Sequence, residues 1–379
     1  MGEHLSAFMR SSTSPTWRLN PQDEVRQSFD RCPFTLVSLE VAMKLSMLIL
    51  AGVASLLVFS TVGAGLSGAP ASQDNPPLAA PPGFLPLLLN NYRPPLPALN
   101  KIVYASGYTD SDQRMNLYTM APDGSNPTPL TFGSAQFVTP AWSPDGSKIA
   151  YTVISGDQNY IQVMNADGSG TYTLVNLPGH HFHPTWSPDG SQIAFTSDLH
   201  NPGPETPNDI YVINADGSGT TLNLTNSPTV HEDHPNWSPD GMKIAYTNYS
   251  GSDYSVVEIY AMNADGSNPV NLTNSGEPDF APDWSPDGAR IAFYRTLGSG
   301  SSALRQIFIM NADGSGQTRL TFTGGQCWYP NWSPDGSQVA FQMYTTAYAD
   351  IYVINADGSG LVNLTNSGSS YASVQPDWK

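Results

Sequence analysis

Cysteine is almost absent from this sequence. The two cysteines are Cys32 and Cys327, and Cys32 lies upstream of a segment that we expect to be removed during export. The mature chain would then retain Cys327 alone, which excludes an intrachain disulfide. No cysteine lies near the expected cleavage region, which also excludes a lipid-modified amino-terminal cysteine. We interpret Cys327, which stands beside Trp328, as core packing rather than as a nucleophile.

Charged residues are also scarce, and most of them are acidic. They make up 12% of the chain, with 15 Lys and Arg against 32 Asp and Glu, and the net charge is −17. Such a chain would repel phosphate backbones and anionic lipid surfaces. We therefore exclude nucleic acid as a partner and expect a surface built largely of Ser, Thr, Asn, Asp and Gly.

The motifs that usually mark catalysis are missing. The sequence has no Gly-x-Ser-x-Gly elbow, no His-Glu-x-x-His motif, no phosphate-cradling Gly-rich loop and no appended hydrolase domain. These absences favour a binding protein over an enzyme.

What the chain does contain is a long internal repeat. The pentapeptide Trp-Ser-Pro-Asp-Gly occurs five times, 44 to 51 residues apart, and a truncated sixth copy ends the chain at Trp378. A second motif interleaves with it in six copies: Pro-Asp-Gly-Ser starting at Pro122, and Asn-Ala-Asp-Gly-Ser starting at Asn165, Asn214, Asn263, Asn311 and Asn355. The spacing is that of one four-stranded propeller blade, so the six copies predict six blades. The Trp residues that open the five full copies are Trp142, Trp186, Trp237, Trp284 and Trp332.

Each repeat supplies four short runs rich in β-branched and aromatic residues. Residues 140–142, 148–151 and 161–164 give the first three strands of one repeat, and residues 222–225 give a fourth strand in the next. The Pro-Asp-Gly and Asp-Gly-Ser groups predict hairpin turns, because Pro presets a turn dihedral, Asp bonds its own backbone and Gly accepts a positive φ. The expected fold is therefore all-β, a six-bladed propeller of four-stranded antiparallel blades.

The two ends of the repeat region predict how the ring closes. Residues 101–104 form a second strand with no first strand before it, and residues 374–378 form a first strand with nothing after it. We therefore expect the carboxyl-terminal strand to complete the first blade, which leaves no open sheet edge at the junction.

This pattern resembles the TolB-like propeller family, also described as WD-like β-propeller repeats. The resemblance is carried by the Trp-Ser-Pro-Asp-Gly, Ile-Ala-Phe, Asp-Gly-Ser and Leu-Thr sequences of each blade and covers residues 100–379. It implies a six-bladed propeller outside the cytoplasm. The periplasmic protein that names the family carries a separate α/β domain before its propeller and belongs to an envelope-spanning complex. Here about thirty Pro-rich residues fill that place.

The segment before the propeller is typical of export. Lys44 is followed by an apolar run over residues 45–62 and by Ala69-Pro70-Ala71, the order of a signal peptide. We expect residues 1–42 to be a non-native upstream extension or disordered, residues 43–71 to be a cleaved signal peptide, residues 72–100 to be a Pro-rich linker and residues 101–379 to be the propeller. The alternative is an uncleaved membrane anchor. Either arrangement places the propeller outside the cytoplasm.

One face of the propeller is expected to carry the binding site. The two repeated turns lie on one face of the propeller. The loops that join strand two to strand three, and each blade to the next, therefore lie on the other face. Only the sequences on this second face vary between blades. The inter-blade segments bring one residue before each first-strand Pro to the mouth of the central channel, with aromatic and acidic neighbours. The expected binding residues are Thr139, Phe182, His183, Asp233, His234, Phe280, Trp328, Tyr329 and Gln375.

Histidine is concentrated in two adjacent copies of this segment. Five of the seven His residues fall in residues 179–183 and 231–234. Imidazoles and a carboxylate from neighbouring blades are typical ligands of a divalent transition metal. The metal hypothesis names His181, His183, His231, Asp233 and His234. The alternative is that these are polar loop residues bonded to backbone near a water-filled channel.

Taken together, the sequence predicts an exported, monomeric propeller that binds a protein, peptide or glycan on its variable face, with no catalytic residue and no obligatory cofactor. Two alternatives stay open. One is a metal-assisted polysaccharide lyase or hydrolase that uses the His-rich mouth. The other is a passive envelope or surface scaffold.

Overall fold

The computed structural model describes residues 100–108, 114–156, 158–199, 207–250, 256–345, 348–368 and 371–379. The expected upstream extension and signal peptide, and all of the Pro-rich linker except Asn100, lie outside these residues. Within the described ranges, no helix has the length and apolar character needed to cross a membrane.

The described chain forms 24 strands in six four-stranded antiparallel sheets, the blades of a propeller. The strands of the first three blades are as follows. Blade 1 contains β1 (Ile102–Tyr108), β2 (Met115–Met120), β3 (Thr128–Pro129) and β24 (Tyr371–Trp378). Blade 2 contains β4 (Gln136–Trp142), β5 (Lys148–Ser155), β6 (Gln158–Asn165) and β7 (Tyr172–Val175). Blade 3 contains β8 (His181–Trp186), β9 (Gln192–Ser197), β10 (Asp209–Asn214) and β11 (Leu222–Asn223).

The other three blades repeat the plan. Blade 4 contains β12 (His231–Trp237), β13 (Lys243–Ser250), β14 (Val256–Asn263) and β15 (Val270–Asn271). Blade 5 contains β16 (Asp279–Trp284), β17 (Arg290–Leu297), β18 (Leu304–Asn311) and β19 (Thr318–Arg319), with a short 3-10 turn, Gly300–Ser302, between β17 and β18. Blade 6 contains β20 (Gln326–Trp332), β21 (Gln338–Tyr344), β22 (Ala349–Asn355) and β23 (Val362–Asn363).

The ring closes through blade 1, as the sequence predicts. Strand β24 pairs antiparallel with β1, with Ile102 opposite Trp378 and Gly107 opposite Ala372. The sheet order is β24, β1, β2, β3, so the last strand of the chain supplies the inner strand of the first blade. First strands of consecutive blades contact one another around the whole ring, from β4 through β24 and back to β4. They therefore line its central axis.

Blades pack together through a repeated contact of Trp with a small residue. Trp186, on the first strand of blade 3, lies in the same buried cluster as Ala150 of blade 2, and Trp332 of blade 6 packs in the same way with Ala292 of blade 5. The second-strand Ala is completely buried in blades 2 to 6. Because Ala has only a methyl group, the indole of the next blade can lie close to the sheet, as close packing of the interior requires.

The repeated turns are held by their own Asp and Gly residues. In blade 2, Asp145 accepts hydrogen bonds from the Ser143 hydroxyl (2.7 Å) and the Ser147 backbone N–H (3.0 Å), and Gly146 has φ of 67°. In the Asp-Gly-Ser turn, Gly168 has φ of 85°, and a Cβ there would lie 2.8 Å from the Leu130 carbonyl oxygen. These Asp and Gly residues therefore stabilise the turns, and their role is structural.

The first strands share an irregularity that positions the channel mouth. In every blade the pairing of the first and second strands shifts register at the residue that precedes the first-strand Pro. Each of these residues has a positive φ, between 47° and 53°, a region uncommon for residues other than Gly. A β-bulge of this kind turns a side chain away from the ordinary alternation. The six are Thr139, His183, His234, Ala281, Tyr329 and Gln375.

A chain of polar side chains links the first strands of blades 4, 5, 6 and 1, and we call it the inner girdle: Asn236, Asp283, Asn331 and Asp377. Asp283 accepts from Asn236 Nδ2 at 2.9 Å and from the Trp332 backbone N–H at 2.7 Å. Asp377 accepts from Asn331 Nδ2 at 2.9 Å and from the Trp142 backbone N–H at 2.6 Å. The inner girdle therefore ties each blade to the next by side-chain hydrogen bonds around most of the ring.

A buried carboxyl group makes the stability of the propeller depend on pH. Glu232 is 3% exposed, its Oε1 accepts from the Ser227 hydroxyl at 2.7 Å, and its Oε2 has no hydrogen-bond partner among the described residues. Burial raises the pKa of Glu232 to about 8; the Ser227 hydrogen bond opposes this rise and the nearby Asp209 carboxylate adds to it. The folded state therefore holds this group neutral at neutral pH.

We expect the Glu232 contribution to be fully present below about pH 4.5, the pKa of an unperturbed Glu, and to be lost as pH rises through about 8. Since one unit of pKa is about 1.4 kcal/mol, the loss between pH 5 and pH 9 should be about 2 kcal/mol or more. Glu232→Gln keeps an acceptor for Ser227 and should flatten this dependence in urea unfolding. Glu277→Gln is the matched control, and equal slopes for both variants would contradict the prediction.

Candidate functional site

Three rings meet where the inner strands of blades 3, 4 and 6 face the central axis. His183 and His234 are stacked, with 3.9 Å between ring centroids and 27° between ring planes. Tyr329 lies against both, with ring centroids 6.4 Å from His183 and 5.5 Å from His234. All three are positive-φ residues at the strand bulges, so the backbone irregularity that recurs in every blade brings them together.

The other three positive-φ residues help to join the blades. Thr139 donates its backbone N–H to Gln375 Oε1 at 3.0 Å, and Gln375 in turn donates its own N–H to Gln342 at 2.9 Å. The Ala281 N–H is bonded to the Thr247 hydroxyl at 3.0 Å. Thr139 and Ala281 are buried. The six positive-φ residues therefore divide into three with rings in contact, in blades 3, 4 and 6, and three with inter-blade hydrogen bonds, in blades 1, 2 and 5.

An aromatic cluster in blades 5 and 6 lies beside these rings. Phe280 stacks on Tyr294 at 4.8 Å between centroids, and Tyr294 stacks on Trp328 at 6.0 Å. Trp328 also contacts Tyr344 at 5.8 Å, and the Arg305 guanidinium lies 4.6 Å from the centre of the Trp328 ring. Phe280 is buried, whereas Trp328 is half-buried and so part of the surface.

Tyr294, Tyr344 and Arg305 belong to this cluster although they are missing from the sequence-predicted set. The sequence does contain an indication for Tyr294. It is an aromatic residue at the second-strand position where blades 2 and 3 carry Thr152 and Thr196. Phe182 is half-buried, and its ring lies 6.0 Å from that of His183 and stacks on His180 at 6.4 Å.

Asp233 connects the two stacked histidines. Its Oδ1 accepts from three groups: His183 Nδ1 (2.7 Å), the Thr196 hydroxyl (2.8 Å) and the His234 backbone N–H (2.7 Å). Its Oδ2 lies 3.4 Å from His234 Nδ1. The side chains of His183, Asp233 and His234 are 12%, 18% and 9% exposed, so the group is mostly withdrawn from water.

The electrostatics of the group favour an ionised Asp233 beside a neutral His234. Burial lowers the pKa of His234 to about 3; the Asp233 carboxylate opposes this effect and His183 adds to it. Burial by itself would raise the pKa of Asp233, but His234, His183 and the hydrogen bonds it accepts hold that pKa below its usual range. At neutral pH, Asp233 is therefore a carboxylate, and His234 has an available lone pair.

The two other histidines of the metal hypothesis lie elsewhere. His181 is fully buried, and its ring nitrogens contact the Ser197 hydroxyl (2.8 Å) and the Leu177 carbonyl (2.9 Å). His231 Nδ1 accepts the Asn208 backbone N–H at 3.0 Å. Both precede the strand bulge, where ordinary pairing places them opposite second-strand residues of their own blades. The structure therefore brings together three of the five residues and separates His181 and His231 from them.

Comparison with known proteins agrees with this architecture. A family model described as TolB beta propeller domain matches residues 99–255 and 243–379. The Tol-Pal system protein TolB of Bordetella pertussis is 34% identical over 145 residues, which cover 38% of this chain and 31% of that protein. The protein of the same name from Coxiella burnetii is 33% identical over 82 residues, 21% of this chain and 19% of that protein. This chain thus matches less than a third of the length of these relatives.

Solved structures show the same fold. The crystal structure of TolB from Acinetobacter baumannii superposes with a TM-score of 0.62 at 22% identity, covering 74% of this chain and 66% of that one. The putative TolB from Agrobacterium tumefaciens superposes with a TM-score of 0.55 at 20% identity, covering 74% of this chain and 98% of that one. Because the two family matches together span the whole propeller from residue 99 to residue 379, the chain belongs to the TolB beta propeller domain family.

Proposed function

We propose that this propeller is an extracytoplasmic module that binds a segment of another protein at the channel mouth, without catalysis. The observation that carries the proposal is the half-buried aromatic surface formed by Phe182, Trp328 and Tyr329 around the stacked histidines. It lies on the face where the six blades differ from one another. The placement outside the cytoplasm rests on the apolar run over residues 45–62 and its Ala-Pro-Ala sequence.

The physical argument concerns what such a surface does in water. Aromatic side chains and Arg are enriched in the few residues that supply most of the binding energy at protein interfaces. Trp328 is already fixed by Tyr294, Tyr344 and Arg305, so a partner would not have to immobilise it. Fixing a side chain in advance removes part of the entropy cost of binding. An extended segment with apolar or aromatic side chains fits these properties.

The relatives support a protein partner. The curated proteins that this chain matches are each named as a Tol-Pal system protein, TolB. Aromatic rings also stack on sugars, so a glycan is the competing ligand class. The metal-assisted polysaccharide lyase and the passive scaffold are the alternatives to this proposal.

Selection from a random peptide library displayed on phage tests the proposal, with residues 72–379 as the immobilised protein. We expect peptides rich in apolar or aromatic residues to be enriched and to bind one site. Phe182→Ala and Trp328→Ala should each weaken the selected peptides at least tenfold in fluorescence anisotropy, since about 1.4 kcal/mol corresponds to tenfold.

Phe132→Ala is the matched control, because Phe132 is an aromatic ring that is 78% exposed and lies between β3 and β4, in the segment that joins blades 1 and 2. It should change peptide affinity less than twofold. Binding that Phe132→Ala weakens as much as Trp328→Ala would place the site elsewhere. Failure to select any peptide, together with binding on a glycan array that Trp328→Ala abolishes, would replace the peptide with a glycan.

A further inference from the structure

We propose that His183, Asp233 and His234 form a binding site for one divalent transition-metal ion at the channel mouth. The site joins blades 3 and 4, because His183 belongs to strand β8 and the other two residues belong to strand β12. The inference does not depend on the proposed peptide binding, since it concerns the stacked histidines and their shared carboxylate rather than the aromatic surface beside them.

Spacing of the donor atoms is the first support. One ligand atom from each of the three side chains lies within 4.8 Å of the other two. His234 Nδ1 and Asp233 Oδ2 are 3.4 Å apart. Two ligands bound at about 2.0–2.1 Å in a tetrahedral site lie roughly 3.3 Å from each other. The distance between His234 Nδ1 and Asp233 Oδ2 is therefore already close to that between two ligands of one ion.

Unused ring nitrogens are the second support. His183 Nε2 and both ring nitrogens of His234 are buried and make no hydrogen bond within the described part of the chain. A buried polar atom left unpaired destabilises the folded state. His234 is 9% exposed, so water does not readily satisfy it. A metal ion would supply the missing partner.

The contacts around the carboxylate are the third support. Carboxylates and imidazoles are both ligands of divalent transition metals. Asp233 Oδ1 is kept in place by the Thr196 hydroxyl and the His234 backbone N–H. Outer contacts of this kind orient a ligand and leave Oδ2 for the ion.

The stacking of the rings sets the one adjustment that binding requires. Each imidazole lone pair lies in the plane of its ring, and the two planes are 27° apart with centroids separated by 3.9 Å. An ion held by both rings therefore requires the stack to open. The imidazole-rich set selects zinc, cobalt or nickel over magnesium or calcium, which prefer all-oxygen sites.

Cobalt titration of residues 72–379, with any affinity tag removed and no peptide present, tests the site. We expect visible absorption bands that saturate at one Co²⁺ per chain and disappear when Zn²⁺ is added. His183→Ala and His234→Ala should each weaken cobalt binding at least a hundredfold. His183→Gln provides a second, milder change at the same residue if an alanine variant unfolds.

His180→Ala is the matched control. His180 Nδ1 contacts Asp198 Oδ2 at 2.8 Å, which gives the chain a second His–Asp pair, but His180 is 42% exposed and lies outside the three-residue group. Cobalt affinity should change less than twofold in this variant. The proposal is overturned if Co²⁺ binds no more tightly than about 1 mM, or if the folded His183 and His234 variants bind as well as the parent. Either result would leave the peptide-binding test unaffected.

Discussion

A chain that lacks residues 373–379 is expected to lose most of the stability of the propeller. These residues form most of strand β24, the inner strand of blade 1. Trp378 is buried in a cluster with Ile102 and Ala340, and Val374 is buried in a second cluster with Val103. Loss of one buried Trp alone typically costs about 3–5 kcal/mol. The truncation also removes the backbone pairing with β1 and leaves a strand edge unpaired.

Hydrogen bonds to neighbouring blades are lost in the same truncation. The Trp142 N–H in blade 2 and Asn331 Nδ2 in blade 6 both donate to Asp377. We therefore expect the melting temperature to fall by more than 10 °C, or the protein not to fold, as judged by circular dichroism. A synthetic peptide of residues 371–379 should restore part of the loss, and the same peptide with Trp378→Ala should not. A truncated chain that melts within a degree or two of the full propeller would contradict the closure through blade 1.

The second large effect is expected at the centre of the inner girdle. Asp283→Ala removes the acceptor for the Trp332 N–H and for Asn236 Nδ2, which approach it from blades 6 and 4. The buried Trp332 N–H and the half-buried Asn236 amide would both lose their acceptor. A buried donor left without its acceptor costs about 1–3 kcal/mol, so we expect Asp283→Ala to lose about 2 kcal/mol or more. Urea unfolding should show this loss, because the three blades are coupled through this one carboxyl group.

Two further variants test whether the loss of stability is specific to the Asp283 carboxyl group. Burial, together with the nearby Asp377 carboxylate, raises the pKa of Asp283 to about 8, so a neutral amide resembles the state of this group at neutral pH. Asp283→Asn also keeps one acceptor oxygen, and we expect it to cost less than Asp283→Ala. Thr185→Ala changes the equivalent position of blade 3, where blade 2 already has Ala141. It should cost under about 1 kcal/mol, and an equal loss in Thr185→Ala and Asp283→Ala would refute the special role of Asp283.

The proposed peptide surface and the proposed metal site are neighbours at the channel mouth. Tyr329 contacts Trp328 on one side and both stacked histidines on the other. An ion that opens the His183–His234 stack would therefore shift a ring that the peptide surface shares. Measuring peptide affinity with and without Zn²⁺ connects the two proposals, although each has its own direct test.

The fold could be predicted from the sequence because its signals are local and repeated. A Pro-Asp-Gly turn is held by hydrogen bonds such as those from Ser143 and Ser147 to Asp145, each two residues away from it. Six copies then set the number of blades. The closure through β24 followed from counting strands at both ends, and the structure confirms it.

The candidate site could be predicted only in part. The alternating direction of the strands was enough to place His183, His234 and Tyr329 at one level around the axis. It could not separate them from His181 and His231, because the bulge at each positive-φ residue changes the direction of the side chains within one strand. The stack of His183 on His234 depends on a contact between two blades, and it is therefore a property of how the blades pack.

For this protein, the sequence by itself determined the class of fold, the number of blades, the turns and the face that varies, since each depends on short-range preferences repeated along the chain. Only the tertiary structure decided which polar groups meet. The inner girdle, the aromatic cluster around Trp328 and the His183–Asp233–His234 group each join residues of different blades. Contacts between blades are fixed by the angle and spacing at which one sheet packs on the next, and no local sequence preference encodes that packing.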